Sequence, residues 1–341
     1  CEEHVYGDWT NTTHGTSSAN GIGQHKSTCI YCGHEETQNC SYSYTQNGDT
    51  HTVTCTECDG SFEEPHQWGG YEYVNDTTHK RSCTVCGYDI TGTHEPGENG
   101  CVCGAVVQVG EDQYYRYIRD ALIAANGTDT KVTLLDDVSM DDAPQVGSVT
   151  LDSGSITLNL NGKTLSLRRG GLIIEDLAEL TIEGNGNSSS RLYMDSHNVS
   201  IYGGSLQLNG GIYEFDTQSL RGNVFYCQNA SITVSNTTIS GMITNSYAIQ
   251  NVFHMGEDSR ITVENVNFQY EEYASSAHVK DIYLSSDATA TFYGGSFKHL
   301  ERTGGQSWQE FLGEGKAFYD QSDGSLVTDL SGLELHNVRV D

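Results

Sequence analysis

The chain of 341 residues carries 17 Lys and Arg against 46 Asp and Glu, a formal charge of −29, with 38 Gly, 3 Pro and 11 Cys. The acidity is spread along its length: residues 1–104 hold 3 basic and 15 acidic side chains, net −12, which leaves −17 for 105–341. Such a surface repels nucleic acid, anionic membranes and polyuronates, all of which need Lys and Arg, and there is no run of 18 apolar residues to span a bilayer.

The first hundred residues repeat one pattern: His, three residues, Cys, two residues, Cys, seven residues, then His or Cys. The sets are His25, Cys29, Cys32, Cys40; His51, Cys55, Cys58, His66; and His79, Cys83, Cys86, His94. A CxxC turn puts two thiolates about 3.5–4 Å apart on one tetrahedral ion, and imidazoles complete the shell, so zinc is the expected occupant at about three sites. Four protein ligands per set leave no open position, which makes the metal structural rather than catalytic. A disulfide framework is the alternative, but it leaves the in-register His without a role. The period is 26 and then 28 residues, too short for a self-sufficient apolar core, so metal binding must supply most of the folding energy. The expected domain is 1–104, with units of about 1–24 (partial), 25–50, 51–78 and 79–104. Cys1 and His4 are further candidate ligands, His4 closing a unit that begins upstream in a longer protein. Cys101 and Cys103 offer a rival third set with Cys83 and Cys86.

Beyond Gly104 aliphatic residues increase. Tyr114 to Ala125 has helical spacing, with Tyr114, Tyr117, Ile118, Leu122 and Ala125 on one side. Short alternating strands follow, and four segments align at separations of 33, 29 and 29 residues. Ile201, Val234, Val263 and Phe292 are expected to form one inward ladder, and Leu206, Ile239, Phe268 and Phe297 another. A period of that size predicts a mainly β fold: a right-handed parallel β-helix over 105–341, Asn and Gly at its corners and the helix as its N-terminal cap. An antiparallel sandwich would not give a 29-residue self-match.

The run AVVQVGEDQYYRYIRDALIAANGTDTKVTLLDDV, with ITLNLNGKTLSL and LTIEGNG, resembles the right-handed parallel β-helix (pectin-lyase-like) domains of large surface proteins of anaerobic gut Firmicutes. The HxxxCxxC units with trailing HxW are similar to the zinc-ribbon-like repeats beside those domains. The resemblance implies an extracellular, surface-displayed bacterial protein used for attachment.

An enzyme is the rival reading, since β-helices host carbohydrate-active enzymes. The candidate carboxylates are Asp136, Asp137, Asp141, Asp142 and Glu264 near Glu271 and Glu272, but the adjacent Arg168 and Arg169 would point to opposite faces of a strand with no further basic residue nearby, and no paired-Asp motif with accompanying His-Gly and Arg-Ile-Lys elements follows residue 104. Whether the chain is an enzyme stays open, leaning against. Cys227 reads as a core residue. The expected binding face comprises Tyr270, Glu271, Glu272, Tyr273 and Trp308, in insertions between coils. The expected function is adhesin-like binding of a neutral glycan or a host protein, mucin and immunoglobulin among the candidates, with the zinc modules as spacer.

Overall fold

The computed structural model describes residues 3–13, 23–97, 100–185, 189–195, 198–216, 222–243, 249–272, 279–297, 300–303, 308–313, 319–320 and 326–328. The chain divides into two compact units, one of Cys1–Val74 with Thr78–Thr93, the other of Asn75–Thr77 with His94–Asp341. The hairpin of Pro96–Gly97 with Gly100–Cys101 thus goes with the second unit, whereas the expected array extends to residue 104.

The described residues of the first unit form three antiparallel sheets of three strands each. They are β1 (Thr10–Thr13), β2 (Gln24–Thr28) and β3 (Glu35–Asn39); β4 (Tyr42–Asn47), β5 (Thr50–Cys55) and β6 (Ser61–Pro65); and β7 (Trp68–Tyr73), β8 (Thr78–Cys83) and β9 (Asp89–Thr93). The repeating unit is therefore one sheet, offset from the expected boundaries at 25, 51 and 79. The central strands of the first two sheets bury alternate residues: His25 and Ser27 in β2, then His51, Val53 and Cys55 in β5. Among the described residues of this unit, Val53 is the single buried aliphatic side chain. Burying it contributes about 1.5–3 kcal/mol, far too little to order three sheets.

Among its described residues the second unit is a parallel β-solenoid with three long sheets; the second includes Thr164–Leu167, Ile212–Asp216, Thr238–Ile243 and Val266–Glu272, and the third Leu172–Glu175, Val199–Tyr202, Gly222–Gln228, Ile249–Met255 and Lys280–Leu284. Its first parallel sheet runs from Thr130–Leu134 through Ser155–Asn159, Glu179–Glu183, Ser205–Asn209, Ser231–Ser235 and Arg260–Glu264 to Thr289–Phe292. Side chains alternate along each strand, so inward positions stack on their equivalents one coil away. One such column is Val132, Leu158, Ile182, Leu208, Val234, Val263 and Phe292, all buried.

The expected ladders hold in part. Val234, Val263 and Phe292 stack as expected, but Ile201 belongs to the third sheet, between Ile174 and Cys227. Ile239 and Phe268 share the second sheet and Phe297 packs on Phe268 at 5.5 Å, whereas Leu206 sits on the first sheet between Leu180 and Ile232. The physical reason is that every face of the solenoid alternates with the same period of two, so a strand from a neighbouring face mimics the right one. The odd separation of 33 residues was its trace.

The capping helix is shorter than its spacing predicts. It spans Ile118–Ala125 (α1) and buries Ile118, Ala121, Leu122 and Ala125. Gln113–Tyr115 is instead a strand antiparallel to Val107–Val109, which itself pairs antiparallel with Thr130–Leu134. Helix and hairpin together cover the first coil. At the corners Asn161, Asn185, Asn236 and Asn265 take left-handed backbone angles, as anticipated. Their side chains join successive coils, with Asn265 Nδ2 donating to Asn236 Oδ1 at 3.1 Å.

Candidate metal centres

The Cys and His residues converge, but in different sets from those the spacing suggests. Within the first unit, His25 and Cys40 meet Cys55 and Cys58, while His51 and His66 meet Cys83 and Cys86. His4 meets Cys29 and Cys32. The ligand atoms of each group lie within 4.8 Å of one another. In the second unit His94 Nδ1 lies 3.5 Å from Cys101 Sγ and 3.3 Å from Cys103 Sγ. His79, on β8, is buried and packs on Tyr71 at 4.6 Å. Cys1 lies outside the described residues.

Strand geometry explains the correction. His51 and Cys55 are both inward residues of β5, four positions apart. An extended strand rises about 3.3 Å per residue, so they stand roughly 13 Å apart and cannot share an ion. The HxxxC element therefore serves two different centres, one from each end of its strand.

The CxxC turns are built alike. The Cys29 amide donates to the His34 carbonyl and the Gly33 amide to Cys29, and Cys83, Gly87 and Tyr88 repeat this. Gly33 and Gly87 sit at φ of 72° and 73°, where a side chain would be strained.

Hydrogen bonding fixes what the imidazoles can offer. His66 Nε2 lies 3.2 Å from the Gly48 carbonyl and His51 Nε2 lies 2.9 Å from a Glu64 carboxylate oxygen. Both partners only accept, so both Nε2 atoms carry the proton and both Nδ1 atoms present lone pairs. Those two Nδ1 atoms face each other at 3.3 Å, with Cys86 Sγ 3.3 Å from His66 Nδ1. Lone pairs so placed repel unless a shared proton or a metal cation lies between them. His94 follows the same rule, its Nε2 held by the Asn75 carbonyl at 2.8 Å. Carboxylate or carbonyl support of the outer imidazole nitrogen is the usual second layer of a zinc centre. His25 differs: Nδ1 points to Cys55 Sγ at 3.3 Å, while its buried Nε2 has no hydrogen-bond partner among the described residues.

The thiols are tuned in opposed pairs. Burial works against the Cys55 and Cys83 thiolates, yet hydrogen bonds from Cys40, His25 and the Glu57 amide bring Cys55 down to about 7. The Cys86 and Val85 amides with His66 bring Cys83 to about 6. Burial and the neighbouring Cys55 push Cys40 up to about 12, and burial raises Cys58 and Cys86. A dication held among them favours the thiolate form of the ligating cysteines. The donor sets, three S with one N and two S with two N, fit tetrahedral zinc.

The solenoid carries no such cluster among its described residues. Asp136, Asp137 and Asp142 are engaged in turns: Asp136 accepts from the Asp137 amide, Asp142 from Ser139 and Asp137 from Thr164. Arg168 and Arg169, exposed in the bend after Thr164–Leu167, pair with Asp195 at 3.3 Å and Asp141 at 3.8 Å. Glu264 is exposed, and Cys227 is fully buried with its thiol pushed up to about 12 by burial. A corner groove of about 430 Å³ includes Asp176, Glu179, Asp258 and Arg260 in its lining, with no aromatic ring.

The expected binding face is not placed: Tyr273 and the side chains of Tyr270, Glu271, Glu272 and Trp308 lie outside the described residues. Another aromatic row, which residue spacing does not reveal, lies on the outer side of the third sheet. Tyr202 packs on Tyr226 at 5.8 Å, Tyr226 on His254 at 5.1 Å and His254 on Tyr283 at 4.9 Å. Tyr226, His254 and Tyr283 are register partners in successive coils, and Tyr202 is diagonal to Tyr226. The recurring aromatic in NVFYC, NVFHM and DIYL was its only sequence trace.

No protein-family model matches the chain, and neither curated proteins nor solved structures give a significant match. Fold and clusters define it as a β-solenoid protein with N-terminal Cys/His groups able to hold metal.

Proposed function

We propose that the chain is an extracellular bacterial surface protein of adhesin type, in which the solenoid presents a recognition face and the N-terminal sheets are a zinc-stabilised spacer. The observation that carries the binding role is the outer aromatic row. Tyr202 is 42% exposed, and its chain neighbour Gly203 lines the polar corner groove. Ring edges and hydroxyls beside serine, asparagine and carboxylate groups suit a neutral or glycosylated partner, which the charge of −29 does not repel. The zinc role rests on the opposed imidazole lone pairs and on groups with four protein ligands, which leave no open position for catalysis.

The offset between the two non-CxxC ligands supports a common plan. His25 to Cys40 and His51 to His66 are each 15 residues apart.

The test is a screen of the purified chain against a glycan array, mucin and immunoglobulin, repeated with Tyr202→Ala/Tyr226→Ala. Saturable binding that the double variant weakens at least tenfold supports the reading. Binding to none of them, or binding indifferent to the variant, refutes the recognition face.

A further inference from the structure

Every complete group in the first unit draws its ligands from two neighbouring sheets. His25 lies on β2 and Cys40 directly after β3, whereas Cys55 ends β5 and Cys58 lies in the turn beyond it. His51 on β5 and His66 after β6 then meet Cys83, at the end of β8, and Cys86. Strand β5 thus serves both centres, His51 at one end and Cys55 at the other, with Val53 between them.

Little else holds one sheet to the next. Across the first junction the Cys40 thiol faces Cys55 and the Gly23 amide donates to the Tyr42 hydroxyl at 2.6 Å. Across the second, His66 packs on Tyr88 at 5.0 Å. No aliphatic side chain is buried at either place among the described residues. A structural zinc supplies most of the folding energy of small metal-folded domains, whereas a single backbone hydrogen bond adds only a small fraction of that. The ion dominates each junction.

We propose that divalent cations act as joints of the array: each is held half by one sheet and half by the next, so that metal occupancy, one junction at a time, decides whether successive sheets are fixed to each other. The inference rests on the zinc reading above and adds where each ion acts. Position 40 carries a prediction of its own. Cys40 occupies the place that His66 fills in the next group, so Cys40→His should keep its ion and lose one thiolate.

The test uses the full chain, counting bound zinc by elemental analysis and following amide exchange strand by strand. Cys40→Ala/Cys55→Ala should lose one ion, because both ligands serve one centre, and Cys55→Ala/His66→Ala should lose two. Sets confined within one repeat predict the reverse, two and then one, and that result overturns the proposal. Loss of the Cys40–Cys55 ion should speed exchange by an order of magnitude or more in both β2 and β5, leaving β9 protected. Faster exchange in one of the two sheets alone refutes the joint even if the ion count is right. Cys40→His, loaded with cobalt, controls for misfolding: it should retain full metal with weaker thiolate charge-transfer absorption, and loss of its ion counts against the assignment. A wild-type chain that binds no metal refutes the zinc reading itself.

Discussion

At the scale of single residues, Glu64 shows how the protein prepares an imidazole for metal. Its carboxylate holds His51 Nε2 at 2.9 Å and so directs the Nδ1 lone pair to the centre. Glu64→Gln keeps the shape but replaces an anion with a neutral acceptor. Zinc affinity of that one group should fall about 10–100-fold, read by competition with a chromogenic chelator; unchanged affinity would show that Glu64 does not tune the site. His254 makes a pH prediction. Burial between Tyr226 and Tyr283 holds its pKa below the usual histidine value, and Asn251 Nδ2 lies 3.2 Å from its Nδ1, where it can donate to the neutral ring. The unfolded chain then binds a proton that the folded chain resists, so stability is intact above the ordinary histidine range and declines as pH falls through it. The solenoid melting temperature should drop between pH 7 and pH 5, and His254→Phe should flatten that slope. A slope that the substitution leaves unaltered assigns the effect to other groups.

At the scale of elements, the two units rely on different forces. In the solenoid, Phe225 and Phe253 stack at 4.8 Å inside adjacent coils and Phe253 meets Phe268 edge-on at 6.2 Å. Phe253→Ala should cost about 3–5 kcal/mol and lower the melting temperature of the second unit alone. Leu122, fully buried in α1, should cost about 2–5 kcal/mol on truncation to Ala by loosening the cover of the first coil. Calorimetry checks both. In the first unit the ranking reverses: Val53→Ala should be mild, about 1–3 kcal/mol, whereas Cys83→Ala should abolish an ion and the order it supplies. Equal losses from the two would mean that packing, not metal, organises these sheets.

At the scale of the whole molecule, metal and apolar burial should separate in a melt. Chelation at neutral pH is expected to remove the order of the first unit and to leave the main solenoid transition in place, because that transition rests on columns such as Val132 to Phe292 that contain no ligand. Differential scanning calorimetry with and without chelator shows this directly. A single transition shifted as a whole would tie the stability of both units to the ion.

Much of this was legible from residue types and their intervals. Repeated CxxC and His at regular offsets named the metal-capable residues, and alternation with a recurring period of about 29 named the parallel solenoid and its Asn corners. Three things depended on tertiary structure. The partition of the ligands did, because four residues along a strand cover about 13 Å and a spacing pattern does not report that distance until the backbone is known to be extended. So did the assignment of Ile201 and Leu206 to their faces, because all three faces alternate with the same period and only hydrogen-bonded register tells them apart. The outer row of Tyr226, His254 and Tyr283 came last, for these rings are separated by a full coil in the chain and become neighbours only when the coils stack.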